Sequence, residues 1–339
     1  MTKVLWEEKS KILNCIRERE VPEWQNQITS FHHYTSLSVL FSILEGNEFW
    51  ATNVRFSNDA MEERMLQLED LSTRDDYIVC FCANNDQLSQ WRGYCHEGGV
   101  AIKLDLRYRQ QFSVLHSDFD QTGKYEIYEN VALPVVYLDP TDDPEVVRKR
   151  VDDIVKRSGQ PDIKTEDLLP YFKNGYFYEE KEVRLLFSNI NGNLSKCIRF
   201  RTLADGVKVP YIVIRHGILG KMNGTCLTDV SEYDDAKILE KAENGDPIWI
   251  EEGSDQETIY YKMLKRIEEY KKKYDKDPKR YHDIKVFCKG RLPIEKITVA
   301  PTYDRERKAE QIKRFCMSKY WLNNVEVEVS KIPYIRPSL

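Results

Sequence analysis

The sequence is short of the signatures that usually announce a function. Only 15 of its 339 residues are glycine, and none builds a G-x-G-x-x-G or Walker A loop, so phosphate cradles of those kinds are excluded. Gly93, Gly98 and Gly99 do not open a helix after a strand. There is no G-x-S-x-G elbow and no H-E-x-x-H, which removes the common esterase and zincin patterns. No apolar run approaches the roughly 20 residues that cross a bilayer. The start, MTKVLWEEKSK, lacks the apolar core of a signal peptide. A cytoplasmic protein with no membrane partner is expected. An excess of one charge is lacking too: Lys+Arg 51 against Asp+Glu 56 gives −5, so no global field gathers nucleic acid or anionic lipid. The eight cysteines (Cys15, Cys80, Cys82, Cys95, Cys197, Cys226, Cys288 and Cys316) include no C-x-x-C pair. Cys95 beside His96 is the nearest approach to a ligand cluster. No metal is expected, and the thiols read as reduced core residues.

What is present is a globular composition, with 41% hydrophobic and 32% charged residues, enough for one large domain or two modest ones. A first helix over 2–20 carries Leu5, Ile12, Leu13 and Ile16 on one face and stops before Pro22. FHHYT reads as a strand, and Leu37, Leu40, Phe41 and Leu44 mark a helix ending at Gly46. EFWAT is a second strand, and Asp59 caps a helix carrying Met61, Met65 and Leu68. YIVCFC, VAIKLDL, VALPVVYL (an edge strand because of Pro134), EVRLLF, KCIRF, VPYIVI, EKITVA and VEVEV complete the strands. Helices are expected around Val147–Val155 and over 309–320.

Short strands with irregularly interspersed helices predict an α+β fold, its strands mixed and mostly antiparallel, its helices peripheral. The expected organisation is an N-terminal helical segment (1–30), a main α+β domain (31–214 with 291–339), and an inserted helical, charged segment (215–290). The insertion is acidic first and then a basic helix. That helix suits a solvated face better than a nucleic-acid grip.

Four constellations could carry chemistry. In His33-Tyr34-Thr35, His33 and Thr35 share one strand face and His32 and Tyr34 the other. The helix that follows offers free N–H groups to an anionic or ribosyl ligand; a half-buried strand end with satisfied histidines fits the same pattern. In Glu180-Lys181-Glu182-Val183-Arg184 the two carboxylates and the guanidinium alternate on one strand face. One carboxylate could stabilise positive charge developing on a sugar carbon while the other orients a nucleophile, and Arg184 could hold a carboxylate or phosphate. A structural Glu–Arg pair fits equally. Asn58 and Asp59 with Glu62 form either a capping box or a polar substrate rim. Trp91 and Tyr94 could stack on a planar ring or pack in the core.

Taken in order, these segments resemble a bacterial family of unknown function. Its pattern here is His33–Thr35, Asn58-Asp59-x-x-Glu62, Cys80-Phe81, Trp91-x-x-Tyr94, Gly98-Gly99-Val100, Glu180-x-Glu182-x-Arg184, Leu292-Pro293-Ile294 to Pro301, and Ser330-Lys331-x-Pro333-Tyr334. Ala300 stands where that family has glycine, Cys80 where it has serine, and the 215–291 stretch has no counterpart. A looser resemblance is to the mono-ADP-ribosyltransferases. It implies NAD as substrate, His33 on a ribose with Thr35 beside it, Tyr94 or Trp91 on nicotinamide, Glu182 as the catalytic carboxylate and Glu180 facing the acceptor. Arg184 would then bind at the same site. Such a protein would transfer ADP-ribose to protein or nucleic acid, or hydrolyse NAD, as a toxin or antiphage effector, with a neutralising or sensor partner. The alternatives are a non-catalytic binding or sensor module, and a metal-dependent nuclease using Asp59, Glu62 and Glu180.

Overall fold

A computed structural model describes residues 3–16, 30–56, 75–95, 98–104, 111–129, 132–189, 192–203, 205–216, 225–227, 234–251, 254–274 and 284–333. In chain order, the first half comprises α1 (Lys3–Ile16), β1 (Phe31–Ser36), α2 (Leu37–Gly46), β2 (Phe49–Asn53), β3 (Asp75–Cys82), α3 (Leu88–Tyr94) and β4 (Gly99–Leu104). It continues through β5 (Gln111–Leu115), α4 (Phe119–Thr122), β6 (Tyr125–Glu129), β7 (Leu133–Pro134), β8 (Val136–Leu138) and α5 (Pro144–Ser158). The second half holds β9 (Phe172–Asn174), β10 (Glu182–Asn189), β11 (Ile198–Thr202), β12 (Lys208–His216), β13 (Thr225–Leu227), α6 (Asp235–Glu243) and β14 (Ile248–Ile250). It ends with α7 (Gln256–Tyr274), β15 (Val286–Cys288), β16 (Ile294–Val299), α8 (Arg305–Met317) and β17 (Glu326–Val329).

The fold is α+β. One 12-stranded, mostly antiparallel sheet runs β17-β16-β4-β1-β3-β2-β12-β5-β6, with β10, β7 and β11 joined at its sides. Its apolar face, with α2 and α8 packed on it, forms the largest core among the described residues, built from Phe49, Phe81, Ile102, Val183 and Ile214 of the sheet and Leu40 and Ile312 of the helices among others. Strand β3 organises the sheet. One of its edges pairs with β10 along its whole length, from Glu182↔Cys82 to Asn189↔Asp75. The other edge is shared: β2 takes Tyr77 and Ile78, while β1 takes only Cys82. The sheet therefore forks between β1 and β2, and the backbone at Val79–Phe81 faces that fork.

Local chemistry explains the elements on either side. Ser36 caps α2, accepting from the Val39 N–H at 3.3 Å. The left-handed residue that ends α2 is Asn47 (φ +51), not Gly46. Its side chain donates to the Gly290 carbonyl and accepts from the Leu292 N–H, tying the return of the 217–290 segment to the sheet. Gly99 is required by space: a Cβ there would lie 2.1 Å from the Thr35 carbonyl oxygen and 2.7 Å from Cys95 Sγ. Asp86 (φ +53) accepts from Trp91 Nε1, Ser330 Oγ and the Lys331 N–H, so the C-terminal segment is tied to the loop that begins α3.

Two expectations need correction. VALPVVYL is not one strand: Leu133–Pro134 lies along β10, whereas Val136–Leu138 turns away to pair in parallel with β9. The break falls at Val135, after a proline that cannot donate to a ladder. The 215–290 segment is not only helical. It contains a three-stranded parallel sheet, β13-β14-β15, with α6 and α7 in its crossovers and its own core of Leu227, Ile238, Ile248, Tyr260, Met263 and Val286. Each of those strands is three residues long, too short for its periodicity to register. The helix expected after Asp59 lies outside the described residues. Among the described residues no helix is long and apolar enough to cross a membrane.

Candidate active site

A cleft of about 90 Å³ opens where β1, β3 and β10 meet one face of α3 and the turn before β10. Because side chains alternate along strands, Cys80 and Cys82 of β3, Glu182 of β10, and His32 and Tyr34 of β1 lie on one face of the sheet. Gln90 and Tyr94, four residues apart on α3, close it from above, and Glu180 closes one side.

His33 enters from the fork. Its Nδ1 lies 3.0 Å from the Cys80 carbonyl, the group left without a β1 partner as the strands separate. A carbonyl only accepts, so Nδ1 carries the proton and Nε2 is left as an acceptor. The ring packs edge-on against Phe49 (5.2 Å) and Phe81 (5.9 Å). Burial holds its pKa below the usual value, against the raising effect of the Cys80 bond, so the ring is neutral at pH 7.

The carboxylates form a buried ionic chain. Glu182 is 4% exposed and takes Arg184 Nε at 2.5 Å, Arg184 Nη2 at 3.2 Å and Lys173 Nζ at 2.6 Å. Arg184 is 1% exposed and also donates to the Pro170 carbonyl at 2.6 Å. Lys173 makes a second contact with Glu180, 2.7 Å. The Glu182 N–H donates to Tyr137 Oη at 2.8 Å. Burial pushes the Glu182 carboxyl up, but Arg184 and then Lys173 outweigh it and hold the pKa at about 2. Glu180 moves the other way: burial raises it and Lys173 offsets only part of the shift. Two carboxylates sharing one ammonium thus have their proton affinities pushed apart, the pattern that separates an ionised stabiliser from a group able to carry a proton.

The structure brings together His33, Tyr94 and the Glu180/Glu182 pair, which come from three separate segments. Glu180 reaches the cleft by an unexpected route. It is not on the strand but ends the 3₁₀ turn Gly175–Glu180, after which left-handed Lys181 (φ +43) reverses the chain into β10. Trp91 does not face the cleft: it is 3% exposed, packs edge-on against Tyr34 at 4.8 Å and donates to Asp86. The α3 face that meets the cleft is that of Gln90 and Tyr94. Thr35 is buried beyond the cleft, its carbonyl facing Cys95 Sγ. Arg184 supports Glu182 from beneath and is not among the lining residues. Asn58, Asp59 and Glu62 lie outside the described residues. Sequence reasoning missed Lys173, Tyr137 and His32; Lys173 sits in the aromatic run YFKNGYFY, where nothing marks it as a partner of a glutamate nine residues later.

Among the described residues no group of three or more His, Cys, Asp or Glu could hold a metal ion. Comparison of the chain with protein-family models, with curated proteins and with solved structures gives no match.

Proposed function

We propose that this cleft is the reaction centre of an NAD-consuming ADP-ribosyltransferase or NAD glycohydrolase acting in the cytoplasm, in the setting of a toxin or antiphage effector. The observation that supports it is the convergence of His33, Tyr94, Glu180 and Glu182 on one cleft, with opposite pKa shifts on the two carboxylates. A cleft of about 90 Å³, well below the several hundred Å³ of a usual small-molecule site, suits one ring of the ligand rather than a dinucleotide. In this reading the C1′–N bond to nicotinamide breaks with the electron pair leaving on nicotinamide. Glu182, fixed and ionised, faces the oxocarbenium charge that develops on the ribose, an interaction that strengthens toward the transition state. Glu180 takes the proton from the attacking hydroxyl, amine or water as the new bond to C1′ forms. His33 Nε2 is a fixed acceptor for a ribose hydroxyl, and Tyr94 is the aromatic wall. The acceptor is protein, nucleic acid or water.

The test is nicotinamide release from NAD by the purified protein, alone and with bulk nucleic acid or lysate. Release that falls at least a hundredfold in Glu180→Gln, a variant whose polar group is partly solvated, supports the reading. No release from folded protein in any mixture, or release indifferent to both Glu180→Gln and Glu182→Gln, refutes it. One observation favours a second reading, a non-catalytic binding module: Glu182 is neutralised on both oxygens by Arg184 and Lys173, as in a structural ion pair. That reading predicts that Glu182→Gln lowers the melting temperature and leaves every ligand-dependent property unchanged.

A further inference from the structure

The registers of six strands set one row of directly opposed residues. They are Glu182 on β10, Cys82 on β3, His32 on β1, Lys103 on β4, Lys296 on β16 and Glu326 on β17. Opposed residues project from the same sheet face, and neighbouring strands lie about 4.8 Å apart, so Glu182 and Lys103 are about 14 Å apart across the sheet. The row begins in the candidate reaction cleft and ends elsewhere. Lys103 and Lys296 line a second, larger cleft of about 600 Å³ between the β16–β17 side of the sheet and the β13–β15 unit. In that cleft the Arg291 guanidinium lies 4.3 Å over the Trp321 ring.

His32 stands between the two. It is 4% exposed and lines the small cleft, and its Nδ1 has no hydrogen-bond partner. A buried ring nitrogen left unsatisfied is costly unless something else satisfies it. The neighbouring lysines are held in place by carboxylates: Lys103 by Glu295 at 2.8 Å, and Lys296 by Glu326 at 3.1 Å and Glu328 at 3.2 Å. Each of these ammonium groups carries three N–H donors, so an anion lying over the row can accept from both and gives His32 a partner. The volumes point the same way, since the small cleft is too confined for a nucleotide while 600 Å³ falls within the usual range for small-molecule sites.

We propose that the two clefts take one elongated nucleotide. Its reacting ring lies against Glu182 and His33, and its phosphate portion lies over His32, Lys103 and Lys296. The inference rests on the NAD-consuming reading for the identity of the ring, but the phosphate track stands on the register alone and is tested separately. Inorganic pyrophosphate and NAD are titrated calorimetrically into the wild-type chain and the Lys103→Met/Lys296→Met variant, each first shown to be folded. Glu295 keeps Lys285 and Glu328 keeps Asn85 and Thr298, so the double variant leaves these two half-buried carboxylates partnered. Both probes should bind the wild type, and both should bind the double variant at least tenfold more weakly. Pyrophosphate binding with no affinity for NAD would leave the track standing and remove the NAD reading. NAD binding equally to both proteins would remove the track and leave the NAD reading, and binding of neither probe would remove both. Should the double variant unfold, His32→Gln replaces it, with the same tenfold loss for pyrophosphate expected and an unchanged affinity refuting the track.

Discussion

Replacing Glu182 by glutamine tests the buried ionic chain most directly. The substitution keeps size and shape but leaves Arg184, 1% exposed, with the Pro170 carbonyl and an amide in place of a carboxylate. Removing one partner of a buried pair costs about 3–5 kcal/mol, a large part of the ~5–15 kcal/mol that holds a typical domain together. Proton linkage gives an independent figure. A carboxyl held at about 2 when folded, against about 4.5 when unfolded, contributes roughly 3 kcal/mol at neutral pH. Its folded pKa is depressed, so that stability is fully present above pH 4.5 and disappears as pH falls toward 2. Urea unfolding of wild type and Glu182→Gln should therefore differ by about 3–5 kcal/mol at pH 7, with the gap closing as pH approaches 2. The double variant Glu182→Met/Arg184→Met should recover most of the loss, because neither charge is then left unpaired. A gap under about 1 kcal/mol at pH 7, the size expected of an exposed pair, or a gap independent of pH, would refute the burial and pairing described for this carboxylate.

Two further outcomes follow from other parts of the fold. His216, fully buried with Nδ1 on the Arg291 carbonyl and its ring stacked on Trp249, is held at about 3 by burial, against the raising effect of that bond. His32 is held at about 4 by burial, Lys103 and Lys296. Both folded values are depressed, so the unfolded chain takes up the protons first, and stability falls as pH drops below 6.5. Between pH 6.5 and 5 each histidine should remove about 2 kcal/mol, and His216→Phe should abolish its own share of that slope in urea titrations. An unchanged slope would show that the ring is not buried neutral. Gly99→Ala should lower stability by about 3 kcal/mol or more, since its Cβ would strike the Thr35 carbonyl; a variant melting within a degree or two of wild type would contradict the close approach of β1 and β4.

Periodicity made most of the main sheet readable. Continuous apolar runs such as YIVCFC and EVRLLF, and the helix ending near Gly46, appear where their patterns place them, because each buries its own apolar positions whatever its neighbours. The three-residue strands of the β13–β15 unit carried no such pattern. The candidate site divides in the same way. His33, Tyr94, Glu180 and Glu182 stood out as polar residues at the edges of core elements, and resemblance suggested roles for them. That α3 turns Gln90 and Tyr94 toward the cleft and buries Trp91 depends on which of its faces meets the sheet, a packing outcome invisible in a seven-residue helix. Lys173 could not be found at all, since an ammonium between two glutamates is defined by β9 lying beside the turn before β10. The row from Glu182 to Glu326 is likewise a property of strand register. Local sequence sets which face of a strand a residue takes, but only the tertiary pairing of six strands decides which residues stand opposite one another.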